Sequence, residues 1–165
     1  MQMYGISMKL PDGKIPGFYG QVVKSLAEKA RIFDRDKELL IVGEKAHCPD
    51  VYQVLEHFRI PYETFPLLHL PENAYCYQTF DDYGFMTRSG NRYLYAQWVA
   101  VFSLQCPPSQ LDKQKQALSQ IEEHLIARYE KDGIGYYITE AQLRELMERI
   151  AAAYGCSVVF KELHT

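Results

Sequence analysis

The stretch Glu38-Leu39-Leu40-Ile41-Val42-Gly43-Glu44-Lys45-Ala46-His47-Cys48-Pro49-Asp50 organises the reading of this chain. Its first half is a continuous apolar run closed by turn residues, the pattern of a strand covered on both faces. Its second half opens a helix. Pro49 suits the first helical position, where its missing N–H costs no hydrogen bond. Val51, Val54, Leu55 and Phe58 then recur at helical spacing until Ile60-Pro61 stops them.

Towards the N-terminus, Met3 to Leu10 reads as a strand ended by the turn Pro11-Asp12-Gly13. Phe18, Val22, Val23, Leu26, Ala27, Ala30 and Phe33 mark one apolar helix face, and Asp34 to Lys37 reads as a charged turn. On the other side, Tyr62 to Leu70 is extended, with Pro66 favouring an edge or an irregular strand. This alternation, β-α-β-α-β, predicts parallel strands joined by helical crossovers.

The middle changes character. Ala74 to Phe80, Phe85 to Arg88 and Arg92 to Leu104 are strand-like and separated by short turns, which predicts an antiparallel meander. In the last of them Leu94, Ala96, Trp98, Ala100, Phe102 and Leu104 share one face. Gln105 to Ser109 carries two prolines and is the place for an internal hinge. A long helix is expected from there to about Lys131, stopped by Asp132-Gly133. A short strand at Gly135 to Ile138 follows, then a helix with a Thr139/Gln142 capping box and a Leu143, Leu146, Met147, Ile150, Tyr154 stripe. Cys156 to Phe160 is a final strand. The expectation is a single globular α/β domain of mixed α+β character over residues 1–165, built on a mixed sheet with a C-terminal α-β-α-β. No repeat is visible in the sequence.

Composition narrows the function classes. The chain is 47% hydrophobic and 24% charged, ordinary for a globular protein. With 18 basic against 21 acidic residues and no basic cluster, it lacks the footprint that phosphate-backbone binding needs, which argues against nucleic acid. The N-terminus lacks the basic start and apolar core of a signal peptide, and no apolar run is long enough for a membrane helix. A cytoplasmic location without membrane attachment is the expectation. Cys48, Cys76, Cys106 and Cys156 have no paired spacing and read as four free thiols.

Three sites carry chemical potential. At the strand-to-helix junction, Cys48 would have its thiolate stabilised by free helix N–H groups, with His47 tuning it. This segment, with the strand before it and Ile60-Pro61-Tyr62-Glu63 after the helix, resembles the active-site stretch of thioredoxin- and glutaredoxin-like proteins. The resemblance implies a small thiol or redox protein. Val51 occupies that family's second cysteine position, and Pro71 is the candidate for its cis-proline. The same loops offer a second possibility, a small anionic ligand or nucleotide held by Lys14, Gly17, Lys45 and His47. Ile134-Gly135-Tyr136-Tyr137-Ile138 is similar to half of the GIY-YIG nuclease signature, but its second half is absent. The histidines make no metal spacing, and no metal or cofactor is expected.

The third site is distributed. Of 13 tyrosines, Tyr75 and Tyr77 share one strand face, and Tyr93 and Tyr95 share another. With Tyr83 at a turn and Arg88 nearby, they form an expected aromatic surface for another protein or a second copy of the chain. A non-catalytic protein-binding or regulatory module is the leading expectation.

Overall fold

Three charged residues read as a turn decide the topology. The computed structural model describes residues 1–13 and 17–163, and within them Asp34–Asp36 is strand β2. It follows β1 (Gln2–Met8) and α1 (Phe18–Lys29), and precedes β3 (Leu39–Val42), α2 (Cys48–His57) and β4 (Tyr62–His69). A middle segment contains β5 (Tyr75–Cys76), a single-turn α3 (Phe80–Tyr83), β6 (Gly84–Met86) and β7 (Arg92–Tyr95). The rest is β8 (Val99–Gln105), α4 (Leu111–Glu122), β9 (Leu125–Lys131), β10 (Ile134–Glu140), α5 (Arg144–Ala153) and β11 (Ser157–Lys161).

The strands form two sheets, ordered β2-β3-β1-β4-β7-β6 and β11-β8-β10-β9-β5. Every pairing in them is antiparallel, so the expected mixed sheet is not formed and the fold is α+β. The helical crossovers are present, but each skips a strand. α1 joins β1 to β2 with β3 lying between them, and α2 joins β3 to β4 with β1 between them. Parallel strands are therefore never neighbours. Reading Asp34 to Lys37 as a turn removed the intervening strand from the count.

The second sheet repeats this plan. β8-α4-β9-β10-α5-β11, in spatial order β11-β8-β10-β9, matches β1-α1-β2-β3-α2-β4 in order β4-β1-β3-β2. The chain is a tandem of two β-α-β-β-α-β, ferredoxin-like units. Details repeat as well. A 3₁₀ turn precedes the second helix of each unit, at Lys45–His47 and Ala141–Leu143. Both second helices end in the same left-handed turn. Arg59 at φ 55° and Gly155 at φ 72° let Ile60 N–H reach Leu55 O and Cys156 N–H reach Ala151 O, each at 2.9 Å. The middle segment extends both sheets, placing β7 and β6 beside β4, and β5 beside β9.

Packing follows the strand alternation. Ile6, Met8, Leu40 and Val42 face α1 and α2, whose buried residues are Val22, Leu26, Cys48, Val51, Val54 and Leu55. In the second unit Phe102 and Leu125 face α4 and α5 through Ile121 and Met147. Between the sheets, Leu68, Leu70 and Leu94 pack on Val99, Val101, Ile126 and Ile138, so one core joins the two units. The remaining face of the first sheet buries Met3, Ile41, Leu67 and Tyr93. Phe65 lies over Gly5 there; a Cβ on Gly5 would meet its ring at 2.6 Å.

Other expectations change with this topology. Arg92 to Leu104 is not one strand: a 3₁₀ turn at Ala96–Trp98 carries the chain from the first sheet into the second. The anticipated meander is thus divided, with β5 in one sheet and β6 and β7 in the other. The long helix ends at Glu122, and Leu125 to Lys131 is a strand paired with β10 through the Asp132-Gly133 turn. The capping box does not form, because Thr139 Oγ1 donates to His124 O at 2.8 Å. On α5 the buried residues are Met147 and Ala151, while Leu146 and Ile150 are half-buried. Pro66 is not on an edge strand. It pairs opposite Tyr4, just beyond the three residues of β4 that β7 reaches.

Cys106 and Cys156 are joined in a disulfide, correcting the reading of four free thiols and removing that argument for a cytoplasmic location. The bond ties the segment expected as a hinge to the end of α5. Among the described residues no helix is long and apolar enough to cross a membrane.

Candidate functional site

The first sheet curls into a half-barrel, and one buried carboxylate closes its lower end. Asp34, on edge strand β2, is 7% exposed. Its Oδ2 accepts hydrogen bonds from Thr87 Oγ1 at 2.7 Å, Asn91 Nδ2 at 2.9 Å and Tyr93 OH at 2.8 Å. Its Oδ1 accepts from Arg35 N–H at 2.7 Å. Burial alone would raise this carboxyl's pKa, but the four donors outweigh it and hold the group below the usual carboxylate range. Tyr93 is fully buried, and burial with the Asp34 charge pushes its hydroxyl far up.

His69 extends this network to the surface. It stacks on Tyr93 with ring centroids 5.0 Å apart, and its Nε2 lies 3.3 Å from Asn91 Oδ1. Burial lowers its pKa, so the neutral ring is favoured. His69, Met3, Ile32, Phe33 and His47 line an apolar cavity of about 410 Å³ at this end.

At the upper end aromatic rings reach the surface. Phe65, Phe85 and Tyr95 are half-buried there, with Tyr95 5.8 Å from Phe65 and 5.6 Å from Phe85. Trp98, 51% exposed, sits 4.5 Å from Tyr95. β6 borders this end as an edge strand.

The tyrosines singled out by strand spacing do not share one surface. Tyr93 and Tyr95 belong to the first sheet, with Tyr93 in its core, whereas Tyr75 lies on a strand of the second. Tyr75, 57% exposed, packs against Tyr77 at 4.9 Å, with the Arg128 guanidinium 5.6 Å from its ring. Tyr77 OH donates to Glu122 at 2.8 Å, and burial with that contact pushes its pKa up to about 12. Tyr83 is half-buried and donates to Glu140 at 3.1 Å. Arg88 is exposed in the β6–β7 turn, away from the Tyr75 pair.

At the junction of β3 and α2, Cys48 is 3% exposed, and burial pushes its thiol pKa up rather than down. That opposes the expected helix-stabilised thiolate. His47 is half-buried, 3.8 Å from Glu44. Lys45 and Gly17 are exposed, and Lys14 lies outside the described residues. No cis peptide bond precedes Pro71.

Sequence reasoning missed the pairing of Asp34 with Asn91 at one end of the sheet, and Trp98 in the ring cluster at the other. Their signal was weak: Asp34 sits among three charged residues, and Trp98 fits a strand alternation that the 3₁₀ turn breaks. No protein-family model and no curated protein matches the chain.

Proposed function

We propose that the protein is a non-catalytic binding module that recognises another protein through the aromatic upper end of its half-barrel. The observation that carries this reading is the contiguous ring cluster Phe65, Phe85, Tyr95 and Trp98, with the indole half in water. Aromatic side chains of this kind supply most of the energy in protein interfaces when a partner dries them. β6 beside the cluster is an edge strand, with no strand paired on its outer side among the described residues. A fitting partner presents an extended segment that adds to β6 and places an apolar side chain on the rings.

The test uses a photo-crosslinking residue at position 98 and a second at exposed Gln21 as control. A single adduct from position 98, mapped to an extended partner segment and lost in the Tyr95→Ser background, supports the reading. Identical adducts from both positions sink it. Concentration-dependent sedimentation together with a blue shift of the sole tryptophan would instead make a second copy the occupant.

A further inference from the structure

We propose that the cleft between the two β-α-β-β-α-β units binds a small organic anion that joins a planar ring to a terminal anionic group, as a nucleoside monophosphate does. The cleft, about 560 Å³, lies below the half-barrel. Met1, His69 and Pro71 form one wall, and Tyr129, Lys131 and Lys161 the other. That volume is in the range of small-molecule sites.

The duplication shows why these residues stand out. The face of the first sheet turned away from its helices is filled by Met3, Ile41, Leu67 and Tyr93. The same face of the second sheet is apolar only where it meets the first, at Val99, Val101 and Ile138. Further along, it carries Tyr129 stacked on Tyr136 at 5.2 Å, with Lys161 Nζ 5.3 Å from the Tyr136 ring. Lys131 and Lys161 come from β9 and β11, which β8 and β10 separate, yet both line one cleft.

The cleft is electrostatically unbalanced. Neither lysine has a carboxylate within salt-bridge distance among the described residues, and Glu130 is the one acid on the wall. Gathering like charges costs free energy that a bound anion would offset. Pro71 and the ring of Tyr129 both line the cleft and offer apolar surface on which a planar ring can pack.

Adenosine 5′-monophosphate, inorganic phosphate and adenosine are the probes, followed by calorimetry and amide shifts of the full chain. Adenosine monophosphate is expected to bind at least about tenfold more tightly than either of the others. Its shifts should centre on Tyr129, Lys131 and Lys161. Lys131→Gln with Lys161→Gln should weaken it by about tenfold or more without changing the melting temperature, because both side chains are exposed. Trp98→Ser should leave it unchanged, which separates this proposal from the partner surface at the other end. No saturation by about 10 mM, adenosine or phosphate binding as tightly as the nucleotide, or indifference to the double substitution would each overturn the proposal.

Discussion

Asp34 Oδ2 lies 2.8 Å from Tyr93 OH although three strands, β3, β1 and β4, separate their strands in the sheet. In a flat sheet, four strand spacings of about 4.8 Å would hold β2 and β7 roughly 19 Å apart. The contact therefore requires the sheet to curl, and the carboxylate is the latch between its two sides. Removing the latch should loosen the half-barrel more than it alters any single strand.

Asp34→Ala would remove the acceptor of the buried Tyr93 hydroxyl and of Asn91 Nδ2, and leave Thr87 only its long contact to Asn91 O. The expected loss in urea unfolding is about 3 kcal/mol, with Tyr93→Phe costing about 1 kcal/mol. Tyr93→Ser, which also opens a cavity, should be the worst of the three. A loss below that of an exposed substitution such as Glu145→Ala would refute the latch.

The same carboxylate predicts an acid dependence. Its folded pKa is lowered, so its contribution is full above the unfolded value of about 3.9 and is lost as pH falls through the lower folded value. Urea midpoints of the native protein should therefore decline as pH drops below about 4, and the decline should be shallower in Asp34→Asn. Parallel profiles would mean that other groups dominate.

The duplication supplies a matched pair of backbone substitutions. Arg59 holds φ 55° where its counterpart is Gly155 at φ 72°. Arg59→Gly is expected to be neutral or stabilising by up to about 1 kcal/mol, and Gly155→Ala destabilising by a similar amount. Thermal unfolding of the two variants decides it; changes of the same sign would break the equivalence.

Thiol chemistry should divide the four cysteines into two pairs. Mass spectrometry after alkylation of the denatured, unreduced protein should find Cys48 and Cys76 labelled and Cys106 and Cys156 linked. Reduction opens a bond spanning 50 residues and is expected to cost about 2–4 kcal/mol. In the folded protein Cys48 should react slowly even at neutral pH, because it is buried and its thiol is held protonated.

Along α5, the ranking of alanine substitutions should follow the observed burial. Met147→Ala is expected to cost about 2–4 kcal/mol, Leu146→Ala less, and exposed Glu145→Ala about 0.5 kcal/mol or less. Chemical denaturation of the three variants tests the order.

Local patterning located α1, α2 and α5 by apolar stripes at helical spacing that only a helix can bury, and β1, β3, β4 and β11 by short apolar or extended runs bounded by turn signals. It also placed Cys48 at a helix start. It failed at β2, whose three residues are all charged, and at β9, where Leu125 and Tyr129 mimic helical spacing. A strand this polar is held by its neighbour: Asp34 to Asp36 pair with Leu39 to Ile41, and that pairing is not written in their own side chains.

Which strands become neighbours was decided only in three dimensions. Local patterning gives each segment a conformation and a face to bury, and that much the chain carried residue by residue. The antiparallel order, the division of Arg92 to Leu104 between two sheets, and the Cys106–Cys156 bond depend on groups far apart in sequence. So do the Asp34 latch and the cleft holding Lys131 and Lys161. Their free energy exists only once the sheets have curled and packed, which is why no window of the sequence displays them.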